Sequence, residues 1–239
     1  MKYDWKNFTE KSDKRYKIAR DNQDIGDLKR HNILKNGEIE LRFIRDLTKA
    51  YFNREVNSTK ALDVACGIGY MSKCLADDGY EVIGFDLNQD AVAIAKSTYP
   101  AIEFSVSDAS DLNKSIVGHK YDLIMAREVH CFSRIKDELF QENLVKVYLE
   151  LLNPGGILVI AHSRIGADTK YPSISFNSLA RALDCSKYST AGPHFMFLYK
   201  HLKLFFPLRY VISIQSAVTR ILATLSGRRW IEFFIILKK

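Results

Sequence analysis

The sequence predicts an α/β fold, a doubly wound and mostly parallel sheet with helices on both faces, and three observations carry that expectation. Residues Ala61 to Gly69 run from a short apolar strand into a glycine-rich turn, and a second apolar strand, Glu81 to Phe85, ends in the carboxylate of Asp86. From residue 60 to about residue 162, apolar runs of strand length alternate with segments of helical period, the pattern of right-handed parallel crossovers. At 239 residues, 47% hydrophobic and 26% charged, the chain has the length and composition of one sizeable globular domain.

The elements follow in order. Residues 1–58 form an N-terminal helical segment ahead of a single domain at 59–239. Within it, Phe8 to Arg20 is polar and helical, while Ile39, Phe43, Leu47 and Tyr51 fall four apart, one face of a helix packed on a sheet. Strand one is Lys60 to Ala65, and the helix after Gly69 runs to Asp78, where Gly79 stops it. Strand two ends at Asp86, and Asn88 or Asp90 caps a helix that reaches Tyr99 before Pro100. Ile102 to Val106 and Tyr121 to Ala126 are strands three and four. A long helix is marked by Ile135, Leu139, Leu144, Tyr148 and Leu151 and ends at Asn153-Pro154-Gly155-Gly156. Strand five is Ile157 to His162, Ser175 to Cys185 is helical, and Val211 to Ile214 and Trp230 to Ile236 are strands, the last a β-rich apolar run.

The glycine turn is built for a nucleoside. Gly67 and Gly69 let backbone approach a ligand without a Cβ between them, and Asp86 can accept from both ribose hydroxyls. Dinucleotide sites carry a third glycine so that a pyrophosphate reaches the helix N-terminus. Here Gly67-Ile68-Gly69-Tyr70-Met71-Ser72 lacks it, and Tyr70 crowds a diphosphate. Asp63 at the mouth of the loop repels phosphate and suits a cation; S-adenosylmethionine offers a sulfonium, an ammonium and no phosphate.

Asp63-Val64-Ala65-Cys66-Gly67-Ile68-Gly69 resembles the first motif of the class I S-adenosylmethionine-dependent methyltransferases, with Ala65 a mild departure from that motif's first glycine. Gly84-Phe85-Asp86, Ser107-Asp108-Ala109, Tyr121-Asp122-Leu123-Ile124 and Leu151 to Ile160 are similar to the following motifs, in order and at sensible spacing. The resemblance implies a seven-stranded Rossmann-like sheet with an antiparallel C-terminal strand, S-adenosylmethionine as cofactor with S-adenosylhomocysteine as product, and no metal. It also implies that the N-terminal segment covers the cofactor cleft as a lid.

On that reading Asp63 takes the methionine ammonium, and Ala65, Cys66 and Gly67 line the cofactor with backbone. Asp86 binds the ribose and Leu87 packs on the adenine. Asp108, with Asp111 as its substitute, and Ala109 meet the adenine edge, and the backbone of Arg127 lies near the cofactor. Methyl transfer needs alignment and exclusion of water; a hydroxyl acceptor also needs its proton removed. His130 is the candidate general base, Glu128 its substitute, and His162 a further histidine toward the same edge. His31, His119, His194 and His201 show no metal spacing.

The acceptor is narrowed by what is missing. No N/D-P-P-Y/F follows strand four and no Pro-Cys dipeptide supplies a nucleophile for cytosine, which favours a small-molecule oxygen or nitrogen, on a sugar, secondary metabolite or lipid-linked acceptor. Net charge +7 keeps RNA as an alternative partner, and residues 194–206, aromatic and basic together, offer a lipid or membrane-surface contact. A non-catalytic cofactor-binding protein is the other alternative. Four cysteines without C-x-x-C pairing, an N-terminus without a signal-peptide core and no run of transmembrane length point to the cytoplasm.

Overall fold

The computed structural model describes residues 6–22, 34–53, 59–165, 174–195 and 229–239, with isolated positions between the last two stretches. Its elements are α1 (Lys6–Asp21), α2 (Leu34–Phe52), β1 (Lys60–Val64), α3 (Tyr70–Asp77), β2 (Glu81–Asp86), α4 (Gln89–Thr98), β3 (Glu103–Val106), α5 (Lys114–Val117), β4 (Tyr121–Arg127), α6 (His130–Ser133), α7 (Glu138–Leu151), β5 (Leu152–Ile165), α8 (Phe176–Ala182), β6 (Tyr188–Phe195) and β7 (Arg229–Lys238). The strands form one seven-stranded sheet in the order β3-β2-β1-β4-β5-β7-β6. β1 pairs in parallel with β2 and β4, and β7 runs antiparallel to both of its neighbours.

Both faces of the sheet are covered, which explains why its strands read as near-continuous apolar runs rather than alternating ones. On one face Leu62, Val64, Ile124, Leu158, Phe234 and Ile236 pack with Leu144, Tyr148 and Leu149 of α7. On the other, Ala61, Leu123, Met125, Val159, Phe233 and Ile235 pack with Phe43, Ile44 and Leu47 of α2. Successive residues of β7 thus point to opposite cores. Helix starts follow the capping chemistry of the sequence: Asn88 Oδ1 accepts from the Ala91 N–H at 2.7 Å, and Asp137 Oδ1 from the Phe140 N–H at 3.0 Å.

Several expectations need correction. Leu139, read as part of the apolar face of α7, is 67% exposed, and Ile135 is buried ahead of the helix rather than in it. Asn153-Pro154-Gly155-Gly156 does not separate helix from strand. It is an irregularity within the ladder between β4 and β5, which pairs Tyr121 with Leu152 and then Leu123 with Ile157. The strand beside β7 is Tyr188–Phe195, which sequence reading missed because Gly192-Pro193 resembles a loop. Proline is tolerated at this sheet edge. A Cβ on Gly192 would lie 2.6 Å from the Phe233 carbonyl oxygen, so glycine permits the close approach of β6 to β7. Of the strand expected at 211–214 only Ile214 is described, and it is helical rather than extended; residues 211–213 lie outside the described residues, as do 196–206 of the aromatic and basic segment.

Candidate active site

Strand order reverses between β1 and β4, and the crevice beyond the carboxyl ends of such strands is where open α/β sheets take ligands. A cleft of about 750 Å³ opens there, lined by the loops after β1, β2, β3 and β4 and by one face of α1. That is the size of a small-molecule site. Asp63, Ala65, Cys66, Gly67, Asp86, Leu87, Asp108, Ala109, Arg127, Glu128 and His130, all singled out from sequence, line this one cleft.

The loop after β1 turns through three left-handed residues, Ala65 at φ 56°, Gly67 at 55° and Gly69 at 84°. Glycine is at ease there; alanine at position 65 costs about 1–2 kcal/mol, more than a mild change. Gly67 donates its N–H to Asp86 Oδ2 at 2.9 Å. Gly69 does a different job from the one expected. A Cβ there would sit 2.8 Å from the Phe104 ring, so it lets the loop pack on β3 and α4 rather than on a ligand.

Asp63 is 2% exposed and accepts from Ser72 Oγ at 2.6 Å. Burial pushes its carboxyl up to about 7, against the pull of Ser72 and of nearby Arg127. Asp86 is held from two sides: Oδ2 by Gly67 and Oδ1 by the Asn88 N–H at 2.8 Å. Two carboxylate lone pairs are used in this way, and the remaining acceptor capacity suits two hydroxyls. Burial raises the Cys66 thiol well above its usual range and the Cys131 thiol to about 12, so both line the cleft as protonated, inert groups.

Beyond β3, Asp108 Oδ1 accepts from the Ser110 N–H at 2.8 Å and its Oγ at 2.7 Å, while Asp111 is not part of the cleft lining. The Ala109 carbonyl accepts from the buried Tyr148 hydroxyl at 2.6 Å, fixing this loop to α7. At the end of β4, Glu128 is left-handed at φ 56° and donates its N–H to the Ala161 carbonyl at 2.7 Å. His130 opens α6, and burial with Arg134 nearby lowers its pKa below the usual histidine value, leaving a neutral imidazole at pH 7. His162 is not at this edge, because β5 continues to Ile165. It is buried, stacked on Phe176 with ring centroids 5.0 Å apart and 3.7 Å from Glu232.

The sequence reading expected the N-terminal segment to cover the cleft but named none of the α1 residues that line it. Asp13, Arg15 and Tyr16 line the cleft, and the Tyr16 hydroxyl lies 3.4 Å from where a Gly67 Cβ would be. Burial and Asp86 push that hydroxyl up to about 12. Asn88 Nδ2 donates to Asp13 Oδ1 at 2.6 Å, and Arg20 pairs with Asp90. Asp13, Tyr16 and Arg20 follow the i, i+3, i+7 spacing of one helical face, the signal that could have found them. Glu40, fully buried on α2 and paired with Arg127, was missed as well.

The cleft is acidic: Asp13, Asp63, Asp86, Asp90, Asp108 and Glu128 line it against two cations, Arg15 and Arg127. This acceptor-rich lining fits a cationic nucleoside with ribose hydroxyls and does not fit a pyrophosphate. Among the described residues no group of His, Cys, Asp and Glu is arranged to hold a metal, and no helix is long and apolar enough to cross a membrane.

Comparison with known proteins bears on the domain and the fold. Residues 61–156 match the family model described as a methyltransferase domain. The ubiquinone biosynthesis O-methyltransferase of Chelativorans sp. (strain BNC1) is 28% identical over 138 residues, 53% of this chain and 51% of that protein. Its counterpart in Rhizobium etli (strain ATCC 51251) is 27% identical over 138 residues, covering 53% and 52%. The chain thus spans about half the length of the curated relatives it matches. Among solved structures, the plantazolicin methyltransferase BamL, in complex with a triazolic desmethylPZN analog and SAH, aligns with a TM-score of 0.61 at 17% identity, covering 98% of this chain and 92% of that one. The magnesium protoporphyrin IX methyltransferase of Synechocystis PCC 6803 gives 0.53 at 13% identity, covering 94% and 97%.

Proposed function

We propose that this chain, whose residues 61–156 match a methyltransferase-domain model, is a class I S-adenosylmethionine-dependent methyltransferase that transfers a methyl group to an oxygen or nitrogen of a small molecule. The observation that carries the reading is the acid-rich cleft at the strand-order reversal, with Asp63 and Asp86 at the ends of adjacent strands. S-adenosylmethionine, when bound, supplies a methyl group on a sulfonium, an electrophile that needs no activation of its leaving group. Asp63 would hold the ammonium of the amino-acid tail, Asp86 the two ribose hydroxyls, and Leu87, Asp108 and Ala109 the adenine. Residues 1–58 would act as the lid through α1, whose Tyr16 closes over Gly67 and keeps water out.

His130 would take the proton of a hydroxyl acceptor, and its lowered pKa supports that role by keeping the basic form present at neutral pH. The curated relatives are O-methyltransferases by name, which favours oxygen over nitrogen as the methylated atom. The free thiols at Cys66, Cys74, Cys131 and Cys185 suit a cytoplasmic setting.

Calorimetry tests the cofactor assignment. S-adenosylhomocysteine should bind and NAD should not; the reverse outcome ends it. Once an acceptor is found by transfer of labelled methyl groups into metabolite extracts, His130→Ala should lower turnover roughly a hundredfold and leave S-adenosylhomocysteine affinity nearly unchanged. Full turnover in that variant would remove His130 from the chemistry.

A further inference from the structure

An α-amino acid tail brings a carboxylate as well as an ammonium. In a cleft lined by six acids, that carboxylate needs a cation held in place for it. Arg127 is built for the task. It ends β4, with its side chain 12% exposed, and it donates from Nε to Glu40 Oε2 at 2.8 Å and from Nη2 to Glu40 Oε1 at 3.0 Å. Glu40 lies on α2 and has no solvent exposure. This bidentate pair uses two of the five N–H donors of a guanidinium, and the planar fork leaves the others on the side away from Glu40.

Arg127 also lies close enough to Asp63 for each to bias the charge of the other. One acid and one guanidinium, carried by the adjacent strands β1 and β4 and lining the same cleft, make the complement of a zwitterion. Burying a charged pair is costly and removing one partner costs more. A fixed cation at the rim of a ligand cleft is a reason to bear that cost, which a mere tie between α2 and β4 would not require.

We propose that Arg127 takes the carboxylate of the cofactor's amino-acid tail beside Asp63, and that Glu40 is the positioning residue that holds the guanidinium in plane. The assignment rests on the methyltransferase reading and adds the residues that distinguish the whole cofactor from its nucleoside half.

The test compares S-adenosylhomocysteine with 5′-methylthioadenosine, which keeps the nucleoside and thioether and lacks the amino-acid tail. Calorimetry on the wild-type chain should show the former binding more tightly. Arg127→Met should weaken S-adenosylhomocysteine roughly ten- to a hundredfold while 5′-methylthioadenosine changes by less than about twofold. Binding of the tailless nucleoside shows that the variant is folded. Glu40→Gln should shift the same ratio in the same direction by a smaller factor. If Arg127→Met does not fold, Arg127→Lys carries the comparison, since lysine keeps the charge and loses the fork. An unchanged ratio in these variants overturns the proposal, as does a ratio that collapses only in Arg15→Met. Wild-type protein that binds neither nucleoside overturns the cofactor reading itself, a result distinct from an unchanged ratio.

Discussion

Asp86→Ala should weaken S-adenosylhomocysteine binding by about 3 kcal/mol, roughly a hundredfold, with the fold retained. Two effects add. Asp86 stands at the end of β2 with one oxygen on the Gly67 N–H and the other on the Asn88 N–H, so its acceptor capacity toward the cleft is fixed before any ligand arrives. Alanine removes both ribose bonds, each of the charge-assisted kind that contributes about 1.5–3 kcal/mol. It also leaves the Gly67 N–H without its partner at the center of a turn that already bears a left-handed alanine. Offsetting this, burial raises the Asp86 pKa, so its removal relieves some desolvation. The total is therefore well below the sum of two bonds plus an orphaned donor. Asp86→Asn, which keeps one acceptor oxygen, should fall between the two, and an affinity unchanged in both variants would take Asp86 out of the site.

The half of this site carried by β1, α3 and β2 was legible because local sequence decides it. Glycine torsion, strand-end acids and the Asn88 cap all act within a few residues of one another. What escaped depends on contacts distant in the chain. Glu40 meets Arg127 across 87 positions and Asn88 meets Asp13 across 75, and no spacing rule connects either pair. β6 escaped because its irregularity at Gly192-Pro193 makes sense only against the backbone of β7. Gly69 was legible as an obligatory glycine and misread in purpose, since the Phe104 ring that demands it comes from β3. His162 was misplaced by the same kind of error: the end of β5 is set by pairing with β7, which extends three residues past it to Ile165.

Stability of the free protein should fall as pH rises from about 4 to about 7, by at most about 4 kcal/mol from Asp63. The folded chain holds this carboxyl with a pKa of about 7, because burial outweighs the Ser72 hydrogen bond and the Arg127 charge. An unfolded aspartate titrates near 3.9. Between those values the native state binds one proton more than the unfolded state, so each rise in pH favours unfolding; below the window the penalty vanishes, and above it the penalty is constant. Asp86, also raised by burial, acts with the same sign. Most buried carboxylates in salt bridges do the opposite, which makes the direction diagnostic. Denaturation of the free chain at pH 5 and pH 7.5 should show the loss, and Asp63→Asn should flatten it. A cationic tail beside Asp63 reverses the preference by favouring the carboxylate, so S-adenosylhomocysteine should bind more tightly as pH rises through 7 and should release close to one proton on binding at pH 6. Calorimetry in two buffers of different ionisation enthalpy counts that proton. A count near zero at pH 6, with binding intact, would mean that Asp63 does not change its protonation when the ligand binds and would overturn this coupling.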